Sequence, residues 1–244
     1  MEHELWFTAL LNKFLAGVVA VLLTKLGLPP ADPAHPIPNY IAMEVSVIVL
    51  MIVCALWLKR RLSLENPGKF QQAMEVVVEF TQNLTDEIIG HGGRRYVGMI
   101  GTLGLFVALC NLWGLIPTFQ TPTAEKSVPA GCAVAAFAYY NWHGIRQLGP
   151  WGYLRHLCGP MMPIAIIMFP IEVFSNLFRM VSLTARLWAN MLAGDLLEQV
   201  FSGLVPIAVP VVFAALHILV SVLQAYVFML LPAIYISMAV SEEH

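Results

Sequence analysis

Residues 96–116 read YVGMIGTLGLFVALCNLWGLI, twenty-one residues without a charged side chain. A hydrocarbon layer of about 30 Å needs about 20 such residues in a helix, so this run reads as a membrane span. Working outward, residues 41–58 (IAMEVSVIVLMIVCALWL) form a second span, with one acid, Glu44, near its start and Lys59-Arg60-Arg61 at its end. A third and more polar candidate covers 127–145 (SVPAGCAVAAFAYYNWHGI), and two long apolar stretches follow at about 162–203 and 206–240. The composition of the whole chain agrees. Of 244 residues, 59% are hydrophobic and 11% charged, against about 25% charged in ordinary soluble domains. A mean hydropathy of +0.74 leaves too little polar surface to cover a globule, which excludes a soluble enzyme. The net charge of −2 carries no basic block, so nucleic acid is not an expected partner. Cys54, Cys110, Cys132 and Cys158 stand singly in apolar contexts and read as small core side chains, with no metal or other cofactor implied.

The thirteen Lys and Arg divide into eight on one side (59, 60, 61, 69, 94, 95, 146, 155), three on the other (13, 25, 126) and two, Arg179 and Arg186, within the fourth stretch. The positive-inside rule then places the N-terminus outside and the C-terminus in the cytoplasm, which five crossings satisfy. Glu2, His3 and Glu4 open the chain without the positive region of a cleaved signal peptide. The apolar part of the N-terminal segment, 14–24, is too short to span and reads as a helix lying on the outer face. Residues 69–89 place Phe70, Ala73, Val77, Phe80, Leu84 and Ile88 opposite Gln72, Glu75, Glu79, Gln82 and Asp86, the pattern of an amphipathic helix on the cytoplasmic surface. The fold class is therefore an all-α integral membrane protein, with five transmembrane helices plus one or two interfacial amphipathic helices. Residues 1–40 form an outer-face segment and 41–244 a single membrane domain. Residues 171–203 contain no proline, and a helix of that length, about 50 Å, fits the membrane only if it lies strongly tilted or breaks. The tilted reading is preferred, with the last two helices antiparallel.

Charges inside those stretches are costly, about 2.5 to 3.5 kcal/mol each on insertion scales, so they survive where they pair or meet water. Glu172, Arg179 and Arg186 recur every seven residues, which keeps them on one stripe with a drift of about 20° per step, and Asn190 extends it. Asp195 points to the opposite side. On the last stretch His217, Ser221 and Gln224 form one polar stripe. With Arg186 level with Gln224 in an antiparallel pair, Asp195 and His217 fall at matching depth, about 13 and 10 Å outward. A carboxylate beside an imidazole is the makeup of a proton relay; direct contact between these two needs helix rotation or a bridging water. On the inward side Glu172, Ser175 and Asn176 form a second polar cluster, with Ser182 beside the arginine and Glu198 toward the outer end of the helix.

The segments SLTARLWANMLAGDLL (182–197) and FAALHILVSVLQAYVFMLLPAIYISMAVSEEH (213–244) closely resemble the two defining helices of the a subunit of F-type ATP synthases. NPGKFQ (66–71), NLWGLIPTFQTPTA (111–124) and PIEVFSNLFRMVSLTAR (170–186) support the resemblance in order, which covers about 66–244. It implies that Arg186 is the stator arginine with Asn190 and Gln224 as polar neighbours. It further implies that Asp195 and His217 belong to one half-channel and Glu172 and Ser175 to the other. The implied partners are a ring of small hairpin rotor subunits, each with a buried carboxylate, peripheral-stalk membrane subunits and the lipid of a bacterial inner membrane. The implied ion is the proton; the choice against sodium lies in the surroundings of the ring carboxylate. The chain itself is expected to be non-catalytic. Asp195 stands where the family commonly has Glu, and Trp188-Ala189 replace a usual Phe-Gly. The rival reading is an ion-coupled secondary transporter, but the inverted repeat typical of many transporters is not found.

Overall fold

The computed structural model describes residues 5–25, 35–90, 92–116, 119–158, 162–202 and 208–240. Its helices are α1 (Trp6–Lys25), α2 (Asn39–Arg61), α3 (Lys69–Ile89), α4 (Val97–Trp113), α5 (Ser127–Cys158), α6 (Met162–Ser202) and α7 (Ala208–Val240). A 3₁₀ turn, Gly93–Tyr96, leads into α4, and another, Pro122–Ala124, precedes α5. Among the described residues there is no strand, and the protein is an all-α integral membrane protein. Among the described residues four helical segments are long and apolar enough to cross a bilayer: Asn39–Arg61, Gly93–Trp113, Ile167–Leu197 and Val211–Ala239. These match the first, second, fourth and fifth expected spans.

The third expected span lies in α5, which is more polar and continues beyond 145 to Cys158. Its helical path breaks at Gly149, where φ is +73°. Proline at 150 disfavours helical geometry in the residue before it, and glycine there can take the left-handed region without a Cβ clash. α6 is continuous over 41 residues with Pro170 inside it, about 60 Å at the α-helical rise. The helix does not break between 171 and 202.

α6 and α7 run antiparallel. His217 faces Asp195 near their shared hairpin, and Tyr235 lies under Arg179 further along. α5 packs on both of them, while α4 packs on α2 and α7. Leu103, Val107, Leu183, Leu187 and Phe228 join these helices in one apolar cluster; Tyr96, Ile100, Tyr140 and Ile236 belong to a second.

α3 has the expected bounds but not the whole expected face. It buries Gln71, Thr81, Leu84 and Thr85, while Phe80 is exposed and so is Ala73. The cause is its docking against α4 and α7. Thr81 turns its hydroxyl back onto the Val77 carbonyl at 2.8 Å, so its polar atom is satisfied and the helix can close on Gly101 of α4. Ser237 of α7 donates to the Ile88 carbonyl at 3.0 Å, satisfying an end carbonyl that the helix itself leaves open. α1 is tied to the start of α2: the Asn12 side chain donates to the Ile37 carbonyl at 3.2 Å and accepts from its N–H at 3.1 Å.

Candidate functional site

One polar cluster, near the α6–α7 connection, is assembled from four elements. Asp195 comes from α6 and His217 from α7, with Oδ1 and Nδ1 3.9 Å apart. Thr121, just before the 3₁₀ turn, donates to the same Asp195 oxygen at 3.2 Å. The other ring nitrogen of His217, Nε2, lies 3.1 Å from the Asn111 backbone carbonyl at the end of α4, and Thr123 donates to the Asn111 side-chain oxygen at 2.5 Å. His217 is buried, whereas the Asp195 side chain is 24% exposed. A carbonyl oxygen only accepts, so Nε2 must carry a hydrogen, and Nδ1 is the ring nitrogen left for other partners. That atom faces the carboxylate. The two groups face each other within ion-pair reach but beyond hydrogen-bond distance.

From His217 the buried side chains of Ser221 and Gln224 continue along α7, with Ser221 Oγ and Gln224 Oε1 lacking hydrogen-bond partners among the described residues. Arg186, Ser182 and Asn190 lie on an exposed face of α6. Arg186 forms no ion pair or hydrogen bond among the described residues, and its charge reaches Tyr235 electrostatically. Gln224 and Asn190 make no direct bond to it. The stripe drawn through Glu172, Arg179 and Arg186 is thus divided: Arg179 turns into the bundle, Arg186 out of it. Helical drift and the reach of a long side chain account for the difference.

A second cluster gathers around Arg179. Its guanidinium lies 3.6 Å from Glu172, donates to Asn176 Oδ1 at 3.4 Å and stands over the Tyr235 ring at 5.4 Å. Tyr140 of α5 donates to the same Asn176 oxygen at 3.1 Å. Tyr153, beyond the break in α5, donates to Asn141 at 2.6 Å; burial raises its phenol above the ordinary range, partly opposed by the Arg179 charge. Ser175 is half-buried beside this group. The side chain of Glu198 lies outside the described residues. Reasoning from residue spacing missed Thr121, Thr123, Tyr140 and Tyr153, because partners set by loop and interhelix packing leave no periodic signal. Asn111, Thr121 and Thr123 fall in the segment 111–124, which offered the available hint.

Fold and site together define a multi-pass helical membrane protein that holds ionisable groups in its interior at two levels. Residues 41–237 match the family model described as ATP synthase A chain. The chain belongs to that family, the membrane-sector a subunit of F-type ATP synthases, a non-catalytic part of the enzyme complex. It is 45% identical to ATP synthase subunit a of Koribacter versatilis across the full length of both chains. It is 44% identical to ATP synthase subunit a of Solibacter usitatus over 96% of this chain and 99% of that one. With ATP synthase subunit a 3 of Pelobacter propionicus the identity is 40% across both full lengths.

Proposed function

We propose that this chain is the stator of a rotary proton path, with two offset half-channels separated by Arg186. The observation that carries the proposal is the position of this arginine. It is a permanent cation without a carboxylate partner among the described residues, on an exposed face of α6, between Asp195 about 13 Å one way along the helix and Glu172 about 21 Å the other. A ring of small hairpin subunits would lie against that face. A ring carboxylate facing lipid must be protonated, since an unpaired charge in hydrocarbon is prohibitive; beside the guanidinium it can ionise. Protons would load through Asp195 and His217, ride around the ring and leave by way of Glu172 and Ser175. Because arginine does not release its proton and repels hydronium, the two sides cannot exchange protons directly past it. A potential of 100 mV supplies about 2.3 kcal/mol per charge moved, which rotation would couple to ATP synthesis in a remote head.

The proposed placement is multi-pass in a bacterial inner membrane, N-terminus outside and C-terminus cytoplasmic, with the ring and the peripheral stalk as partners. Residues 1–40 would form the outer-face segment and 41–244 the membrane domain. Arg186→Lys tests the function in the complete complex, because lysine can lose its proton when desolvated and is a more compact charge. ATP-driven proton pumping, read by quenching of a pH-sensitive dye in vesicles, should be lost or strongly reduced. Pumping at the unaltered rate refutes the role.

A further inference from the structure

Where α3 hands over to α4, two arginines and a histidine gather around a small aromatic floor. Arg95 stands over the Tyr96 ring at 5.9 Å. Tyr96 meets His143 of α5 edge-on at 5.1 Å, and His143 rests on Tyr139 at 4.5 Å. Arg95 and Arg146 lie within electrostatic reach of the His143 ring from the two helices. Arg94 reaches Asp86 at 3.9 Å, but among the described residues neither Arg95 nor Arg146 has a carboxylate partner. Two guanidiniums held near one ring without a counter-charge repel one another, more so in the poorly screened boundary of a bilayer than in water.

The surroundings indicate which anion relieves that repulsion. Arg95 is the third residue of the apolar segment Gly93–Trp113, which puts its charge at headgroup level. Tyr139, Trp142, His143 and Arg146 recur at spacings of three and four and so share one face of α5. On that face Trp142 is 63% exposed, and Ile145 beside it is 40% exposed. On α4, a Cβ at Gly98 would meet nothing within 4 Å, so the helix surface below Arg95 is open. Cations above an exposed apolar wall match a headgroup with its acyl chains, not a soluble anion.

We propose that Arg95 and Arg146, bridged by Tyr96, Tyr139 and His143, hold the phosphate of an anionic phospholipid whose acyl chains lie against Trp142 and Ile145. This site is separate from the proton path and does not depend on it. The test uses the complete complex, purified in mild detergent and exposed to phosphatidylcholine vesicles with or without phosphatidylglycerol. Native mass spectrometry then counts the phosphatidylglycerol retained. The double variant Arg95→Gln/Arg146→Gln should retain one molecule fewer, with affinity on the order of thirtyfold weaker, as expected for two lost surface cations. Arg95→Lys/Arg146→Lys should keep it, which separates loss of charge from loss of fold. An unchanged count in the glutamine variant overturns the proposal. So does displacement of the lipid from the wild type by inorganic phosphate, or photo-crosslinking from position 142 to a protein subunit instead of lipid.

Discussion

His217 is held by two atoms of different character. The Asn111 carbonyl at 3.1 Å fixes a hydrogen on Nε2, which leaves Nδ1 as the ring nitrogen on the side of Asp195. The two partners are not equivalent. Without the imidazole, Asp195 still has a carboxylate that can take a proton and still accepts from Thr121 at 3.2 Å; without the carboxylate, the neutral imidazole loses its acidic neighbour. Asp195→Asn should therefore slow passive proton conduction through the membrane sector more than His217→Ala does, by about tenfold or more relative to wild type. Equal, unaltered rates in the two variants would remove both residues from the path. Thr121→Val makes a smaller change, since it deletes one donor and leaves the carboxylate; a severalfold decrease in the same conduction assay is expected.

At the level of single helices, the junction between α3 and α4 depends on the absence of a side chain at Gly93. A Cβ there would stand 2.7 Å from the Thr85 carbonyl oxygen, which is backbone and cannot rotate away. Gly93→Ala should force the two helices apart and lower stability by about 1 to 3 kcal/mol. Gly98→Ala, with open space at its Cβ, serves as the contrast; similar melting temperatures for the two in detergent would contradict the packing argument. The same elements show what can be read from residue order alone. Spans 41–58 and 96–116 were legible because lipid imposes one condition, a long uncharged helix, on each segment independently. The depth match of Asp195 and His217 was legible because antiparallel helices convert residue number into height. The buried face of α3 was not, since threonines 81 and 85 can be buried once their hydroxyls bond back to the helix. Nor was the seat of Arg179 over the Tyr235 ring of α7, because that contact is set only once the two helices have packed.

Across the whole molecule, the long hairpin leaves apolar surface uncovered in a particular place. Phe174, Phe178 and Val181 of α6 and Leu219, Val222 and Leu223 of α7 are about half exposed or more, with Arg186 exposed on α6 as well. α2 also exposes apolar residues, including Val49, Ile52 and Val53, but its exposed face carries no charge between Val45 and Trp57. A surface meant only for lipid gains nothing from a cation, whereas one meant for a carboxylate-bearing ring does. The two surfaces should then respond differently to an introduced asparagine. Ala193→Asn, on the exposed stripe that carries Arg186 seven residues earlier, would place a polar amide against a tightly packed partner and should reduce copurification of the ring several-fold. Val49→Asn, on a face that meets lipid, should insert at modest cost and leave the ring attached. Quantifying ring subunit per a subunit after affinity purification distinguishes them. Equal retention in both variants would mean that the α6–α7 face meets lipid alone, leaving Arg186 without a carboxylate to serve.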